Sequence, residues 1–430
     1  MNETLNKPLY TLVLPWVLLF PLLFFVARGT FSFDRQVSGN LASSEANPVT
    51  DTRSGSTYYQ FEQVFAYVVV LAVIVPSLPV LGSIIRNNLM IFMLPLFALL
   101  STAWSESPRK TIPFSIFALI LTIFGIYLSK RFSPDQQLDL FMFVGWASIG
   151  LSFVAVLLFP NAGIAQGDGH GAWRGMFIQK NVCGEITVLL AYAALFTSPK
   201  GSLRRIGLIL FLLLASTVVI MSQSRTAWLL YISSALCYLL LRVFQSLGGR
   251  EGLLLTVLIG VLLLALTVVA IGFTAQLAVT LGKDPTLTGR TKIWAAAAVA
   301  ASKRPLLGYG YKAFWLGLKG ESLNVALAVG ATGLTNSENA MLETWLELGL
   351  VGVSIVLLTL FQASRNAMTC LRHGAPRYIL WYILIIFFNL LALVDGEKIM
   401  FPHTIEWLLL VIAYAGLSNE ARRVRGLRTV

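Results

Sequence analysis

The chain has 430 residues, 57% of them hydrophobic and only 12% charged, with a formal net charge of +12 and a mean hydropathy of +0.76. That composition excludes an ordinary soluble enzyme and a disordered chain, and it points to a multi-span helical membrane protein. The basic residues fall in short loops between apolar runs, so the charge fits phosphate-bearing lipid and argues against nucleic acid.

Backbone groups cannot be left unpaired in hydrocarbon, so apolar runs near span length are expected as helices. In chain order the predicted spans are 9–27, 62–81, 89–104, 111–129, 138–159, 182–197, 206–221, 226–241, 252–274, 349–363, 378–394 and 405–417. The count is about twelve, and the third and last are short enough to be tilted or interfacial. The first run follows a single lysine and lacks a small-residue cleavage site, so it is read as a retained span. No repeat or linker divides the chain, and residues 1–430 are expected to form one integral membrane domain. A polar loop over 29–60 and a long loop over 275–348 are its main extramembrane parts. Cys183, Cys237 and Cys370 show no CxxC pairing, and no disulfide is expected.

With both ends inside, the cytoplasmic loops hold Arg86, Lys130, Arg131, Lys200, Arg204, Arg205, Arg242, Arg250, Arg365, Arg372 and Arg377, and the tail adds Arg422, Arg423, Arg425 and Arg428. This is the positive-inside pattern when counted as density along the loops. The long loop then falls on the opposite side, yet it carries Lys283, Arg290, Lys292, Lys303, Arg304, Lys312 and Lys319 among Trp294, Tyr309, Tyr311, Phe314 and Trp315. A cationic, aromatic surface on that side fits an anionic, sugar-bearing ligand.

Four clusters on the same side could carry chemistry. Arg174, Lys180 and Asn181 precede or open a helix, and helix N-termini favour anions; interfacial snorkelling explains them equally well. Arg225 is wedged in a short hairpin with no acidic neighbour in sequence, which is costly near hydrocarbon unless it is paired or bound to an anion. The alternative is an interface anchor beside Trp228. Arg290, Lys292 and Trp294 begin an alanine-rich helical stretch that stops at Pro305, after which Tyr309 and Tyr311 in Gly308-Tyr309-Gly310-Tyr311 are expected to stack on sugar rings. Asn336 or Ser337 is expected to cap the next helix. Glu338 would then stand in its first turn, where it either complements the dipole or faces the cations.

Metal-dependent and acyl-enzyme chemistry find no support, since DxD, HExxH, P-loop and GxSxG motifs are absent and His170, His373 and His403 do not cluster. No metal or cofactor is expected. Few ionisable residues fall mid-span, which argues against an ion-coupled transporter.

Jointly, six blocks resemble the O-antigen ligase/polymerase superfamily of bacterial envelope enzymes. They are Ala103-Trp104-Ser105, the Arg174-Gly175…Lys180-Asn181…Gly184 run, Ser224-Arg225-Thr226-Ala227-Trp228, Gly289-Arg290-Thr291-Lys292-Ile293-Trp294, Arg304-Pro305-Leu306-Leu307-Gly308-Tyr309-Gly310, and Asn339 followed by Leu342…Glu347-Leu348-Gly349-Leu350-Val351-Gly352. The Lys-Asn and Gly-Arg-Thr-x-Ile-Trp blocks are most similar to Wzy-type exopolysaccharide polymerases. The resemblance implies an all-α, GT-C-like glycosyltransferase in the bacterial inner membrane, with its site on the periplasmic side. It further implies metal-independent, inverting transfer of a glycan from undecaprenyl pyrophosphate to a sugar hydroxyl.

On that basis Arg225 and Arg290 would carry the departing pyrophosphate and Glu338 would be the base, although the family usually has His-Asn where this chain has Glu338-Asn339. Arg174, Lys180, Asn181, Lys292, Trp294, Tyr309, Tyr311 and Asn339 would hold substrate. A chain-length regulator is the expected protein partner of a polymerase. Three other readings stay open: an O-antigen ligase with a lipid A core acceptor, a polysaccharide exporter or flippase, and a non-catalytic scaffold of glycan assembly.

Overall fold

A computed structural model describes residues 7–29, 31, 57–77, 82, 85–165, 171–197, 201–247, 290–317, 319–330, 334–337, 339–373, 377–392, 400 and 403–426. Among the described residues the fold is helical throughout, apart from one antiparallel bridge between Ile164 and Trp173. The first half forms α1 (Lys7–Val26), α2 (Thr57–Ile74), α3 (Leu89–Leu100), α4 (Pro108–Arg131), α5 (Pro134–Leu158), α6 (Lys180–Phe196), α7 (Ser202–Met221) and α8 (Arg225–Leu247). After a gap come α9 (Arg290–Lys303), α10 (Gly320–Val329), α11 (Ala340–Arg372), α12 (Arg377–Ala392) and α13 (Ile405–Val424).

A helix therefore stands at every predicted span except 252–274, which lies outside the described residues. By length and composition, the segment Gln60–Ser77 and helices α4, α5, α7 and α11 are able to cross a membrane, and shorter apolar helices stand at Val13–Val26, Leu89–Ala103, Arg225–Leu240 and Tyr378–Leu390. Helix ends follow local chemistry. α5 opens with Ser133 and Gln136 in a reciprocal capping box and Pro134 in its first turn, and α4 closes on Lys130 and Arg131 at the negative end of its dipole.

A helix that is apolar on every side belongs in an interior. α13 is such a helix from Trp407 to Leu417, packed on α4, α11 and α12, and its Trp407 indole donates to Thr122 Oγ1 at 2.9 Å across the interface with α4. α6 is enclosed in the same way by α5, α7, α8 and α12. α7 instead turns Leu203, Ile206, Ile209 and Leu213 outward, as a lipid-facing helix does. At one end of the bundle Arg422 donates to Asn87 and Arg425 to Thr369, so loops predicted to share the cytoplasmic side do lie together. The residues considered next lie at the opposite helix ends.

Candidate functional site

Two of the six sequence blocks meet around the start of α6. The Trp173 amide donates to Met221 O at 2.8 Å. A β-carbon at Gly184 would lie 2.5 Å from that of Ala227, so only glycine lets α6 approach the 222–227 hairpin so closely. In this cluster Arg174 points inward: it is 3% exposed, and it donates from Nε to Ala162 O at 2.6 Å and from Nη2 to Asn161 O at 2.7 Å. Lys180 and Asn181 are half-buried in the first turn of α6, whose cap position, Gln179, makes no side-chain capping bond. Arg225 is exposed at the first position of α8 and has no carboxylate partner among the described residues.

Three more blocks interlock at a break in the first third of α11. Gly349 (φ 66°, ψ −171°) interrupts that helix, and a β-carbon there would meet Leu306 O at 2.1 Å. Broken helices leave amides and carbonyls unpaired, and the 305–310 segment satisfies them. The Leu350 and Val351 amides donate to Pro305 O and Leu306 O, while the Tyr309 and Gly310 amides donate to Leu346 O and Glu347 O. The Ala103-Trp104-Ser105 block closes the lock: Trp104 Nε1 donates to Leu307 O and the Glu106 amide to Tyr309 O.

This lock places the two tyrosines away from solvent. Tyr309 and Tyr311 are each 1% exposed, with hydroxyls donating to Ala300 O and Met400 O at 2.8 and 2.9 Å. Their rings offer no free face for a sugar, so the expected stacking platform is here a packing element. The cap of α11 also differs from expectation: it is Asn339, whose Oδ1 accepts from the Leu342 amide, and neither Asn336 nor Ser337. Ser337 is tied instead to Trp294, whose Nε1 donates to its carbonyl at 2.9 Å, and to Glu343, which accepts from its amide and from the Trp315 indole. Lys292 is exposed on α9. The side chain of Arg290 and the whole of Glu338 lie outside the described residues.

Beside the lock is a small cleft lined by Leu94, Tyr311, Lys312, Ala340, Glu343, Thr344, Glu347, Leu348 and Met400. Lys312 Nζ pairs with Glu347 Oε1 at 3.2 Å within it, and both side chains are largely buried. Lys312 holds a left-handed backbone (φ 59°), a conformation that costs a non-glycine residue about 1–3 kcal/mol and persists only when its surroundings enforce it.

Two polar assemblies lie at the same helix ends. Arg28 bridges Glu406 and Glu185. His403 is 2% exposed, with Tyr67 Oη 2.9 Å from Nδ1 and Gln63 Nε2 3.1 Å from Nε2. Phe24, Phe114 and Phe117 surround its ring. Burial, with help from the Lys312 charge, pushes the His403 pKa down to about 3, so the imidazole is neutral. Arg28, Glu185 and Glu406 have no local sequence signal, being 157 and 378 positions apart. Their one visible sign is that Arg28 closes one apolar run while Glu185 and Glu406 stand near the start of theirs, which the predicted topology puts on the same side.

The O-antigen ligase family model matches residues 210–357, from α7 through the break in α11. The exopolysaccharide production protein ExoQ of Rhizobium meliloti (strain 1021) is 27% identical over 303 residues, 68% of this chain and 67% of that relative. Both support the O-antigen ligase/polymerase superfamily. The apolar helices and the family match together indicate a multi-pass membrane protein. Of the candidate residues, Arg225, Arg290, Lys292, Trp294, Tyr309, Tyr311, Glu338 and Asn339 fall inside the matched stretch, whereas Arg174, Lys180 and Asn181 precede it.

Proposed function

We propose that the protein is a GT-C-like glycosyltransferase of the bacterial inner membrane that moves a glycan from undecaprenyl pyrophosphate to a sugar hydroxyl, extending surface or exopolysaccharide repeat units on the periplasmic side. The acceptor oxygen attacks the anomeric carbon, the bond from that carbon to the pyrophosphate oxygen breaks, and the anomeric configuration inverts. Glu338 takes the acceptor proton. Charge develops on the departing pyrophosphate, where Arg225 and Arg290 stabilise it, while Lys180 and Lys292 help to hold the substrate. Arginine suits that role because its planar fork binds phosphate oxygens in pairs. Arg174 supports the 171–180 segment from within, and Asn339, Trp294, Tyr309 and Tyr311 hold the surrounding loops in place. The reaction needs no divalent metal.

The observation that carries the reading is the likeness to ExoQ over two-thirds of both chains, with Arg225 exposed and unpaired among the described residues. The family model's own description, O-antigen ligase, favours a second reading; in that reading we take the acceptor to be lipid A core. Purified protein in lipid vesicles, given an undecaprenyl-pyrophosphate oligosaccharide, is expected to release the lipid pyrophosphate and build a ladder of glycan lengths. A single addition seen only with lipid A core would favour the ligase, and no transfer to either acceptor would overturn both. A chain-length regulator is the expected partner and should narrow the ladder.

A further inference from the structure

We infer that the turn formed by Pro305, Leu306 and Leu307 is a membrane foot, seated in bilayer lipid at the edge of the spans and not in water. Leu306 is 63% exposed and Leu307 43%. Exposed leucines alone carry little weight, since every protein surface has some. The backbone beneath them is more telling. Each carbonyl of the segment accepts a bond from protein: Arg304 O from the Gly308 amide, Pro305 O from the Leu350 amide and the Trp345 indole, Leu306 O from the Val351 amide, and Leu307 O from the Trp104 indole. A water-facing turn leaves carbonyls to solvent at little cost, whereas carbonyls of non-helical backbone near hydrocarbon need partners within the protein.

The surroundings identify the occupant. The turn is hydrogen-bonded to Leu350 and Val351, the first residues after the break in α11, where the predicted span begins, and both are themselves exposed. Trp104 joins it to the end of α3, where Leu100 is 65% exposed. The leucines thus extend an apolar surface that already belongs to the bilayer-facing helices. Two tryptophans bonded through their indoles flank the foot, as amphipathic rings do at a membrane interface. Lys303 and Arg304 stand just before it, paired with Glu321 and Glu106. Such long cationic side chains reach from apolar surface toward headgroups. The Tyr309-Gly310-Tyr311-Lys312 segment follows directly, so the foot sets its height above the membrane.

Spin-label depth measurement on the full chain tests this, in phosphatidylethanolamine/phosphatidylglycerol vesicles and a background with the three cysteines replaced. Labels at Leu306→Cys and, separately, Leu307→Cys should collide with dissolved oxygen far more than with a water-soluble nickel chelate, matching Leu100→Cys. Lys292→Cys, exposed on α9, should show the reverse. Nickel collisions at 306 and 307 as frequent as at 292 would place the turn in water and overturn the inference. Shielding from both reagents, the mark of a covering protein or a second copy, would overturn it as well. Oxygen-favoured collisions at both positions would uphold it. The measurement needs no glycan substrate, so its outcome is independent of the proposed reaction.

Discussion

Arg225 and Arg174 stand in adjoining segments at one end of the bundle, and their surroundings separate them. Arg225 is exposed at a helix start, so Arg225→Ala should abolish transfer while leaving the thermal unfolding curve of the purified protein unchanged. Arg174 is buried on two carbonyls. Arg174→Ala should lower stability by about 1.5–3 kcal/mol for each charged hydrogen bond lost, measured by unfolding in detergent. An unfolding curve for Arg174→Ala identical to wild type would return that arginine to the list of substrate ligands. Glu338→Gln should cut turnover by roughly 10²–10⁴-fold, the range for loss of a general base. Full activity in that variant would move the base elsewhere.

His403 gives a residue-scale pH prediction. Its pKa falls from 6.5 to about 3 on folding, so between those values the unfolded chain binds the extra proton. The stability this histidine contributes is present above pH 6.5 and is lost as pH falls toward 3. Unfolding temperature should therefore drop more steeply with acid in wild type than in His403→Gln, and equal slopes would show that the imidazole is not held neutral.

Among the helices, the break in α11 has the clearest mechanical content. Gly349→Ala adds a β-carbon that would lie 2.1 Å from Leu306 O, in a backbone conformation that alanine disfavours. The 305–310 segment should then detach, with a loss of more than about 1 kcal/mol and faster proteolysis between α9 and α11. Wild-type protease resistance would show that the lock tolerates the change.

The helices themselves are legible because unbroken apolar runs leave no other fold in a bilayer, and the predicted span 349–363 begins at the break itself. What precedes it is not legible. Asn336, Ser337 and Asn339 are all good capping residues, and only the bond from the Leu342 amide selects Asn339. Tyr309 and Tyr311 beside glycines resemble an exposed platform, but the glycines serve backbone pairing and carry the rings inward. Arg28 with Glu185 and Glu406 is out of reach for a simpler reason: its partners, carried on α6 and α13, come together only when the bundle assembles around the end of α1.

For the whole molecule, the proposed chemistry rests on cations that the chain supplies itself. Activity should survive EDTA, and a loss restored by magnesium or manganese would overturn that expectation. Stability should rest on the charged assembly as well as on apolar packing. Removing one member of this part-buried ionic group strands the others, at a cost below the roughly 3–5 kcal/mol of a fully buried pair, so Arg28→Ala should still be clearly destabilising at this end of the bundle. No measurable loss would show that Glu185 and Glu406 find other partners.

The lock at Gly349 also makes the protein a gauge of its lipid. Four backbone hydrogen bonds tie the 305–310 segment to the two sides of the break, two of them to the first turn of the span that follows. A span tilts when bilayer thickness departs from its apolar length, and here the tilt has nowhere to go but into that segment and the Lys312–Glu347 cleft behind it. Turnover should therefore vary with acyl-chain length in reconstituted vesicles of constant headgroup composition, and Gly349→Ala should flatten the dependence by uncoupling loop from span. Rates that stay level across thin and thick bilayers in wild type would mean that the tilt is absorbed before it reaches the cleft.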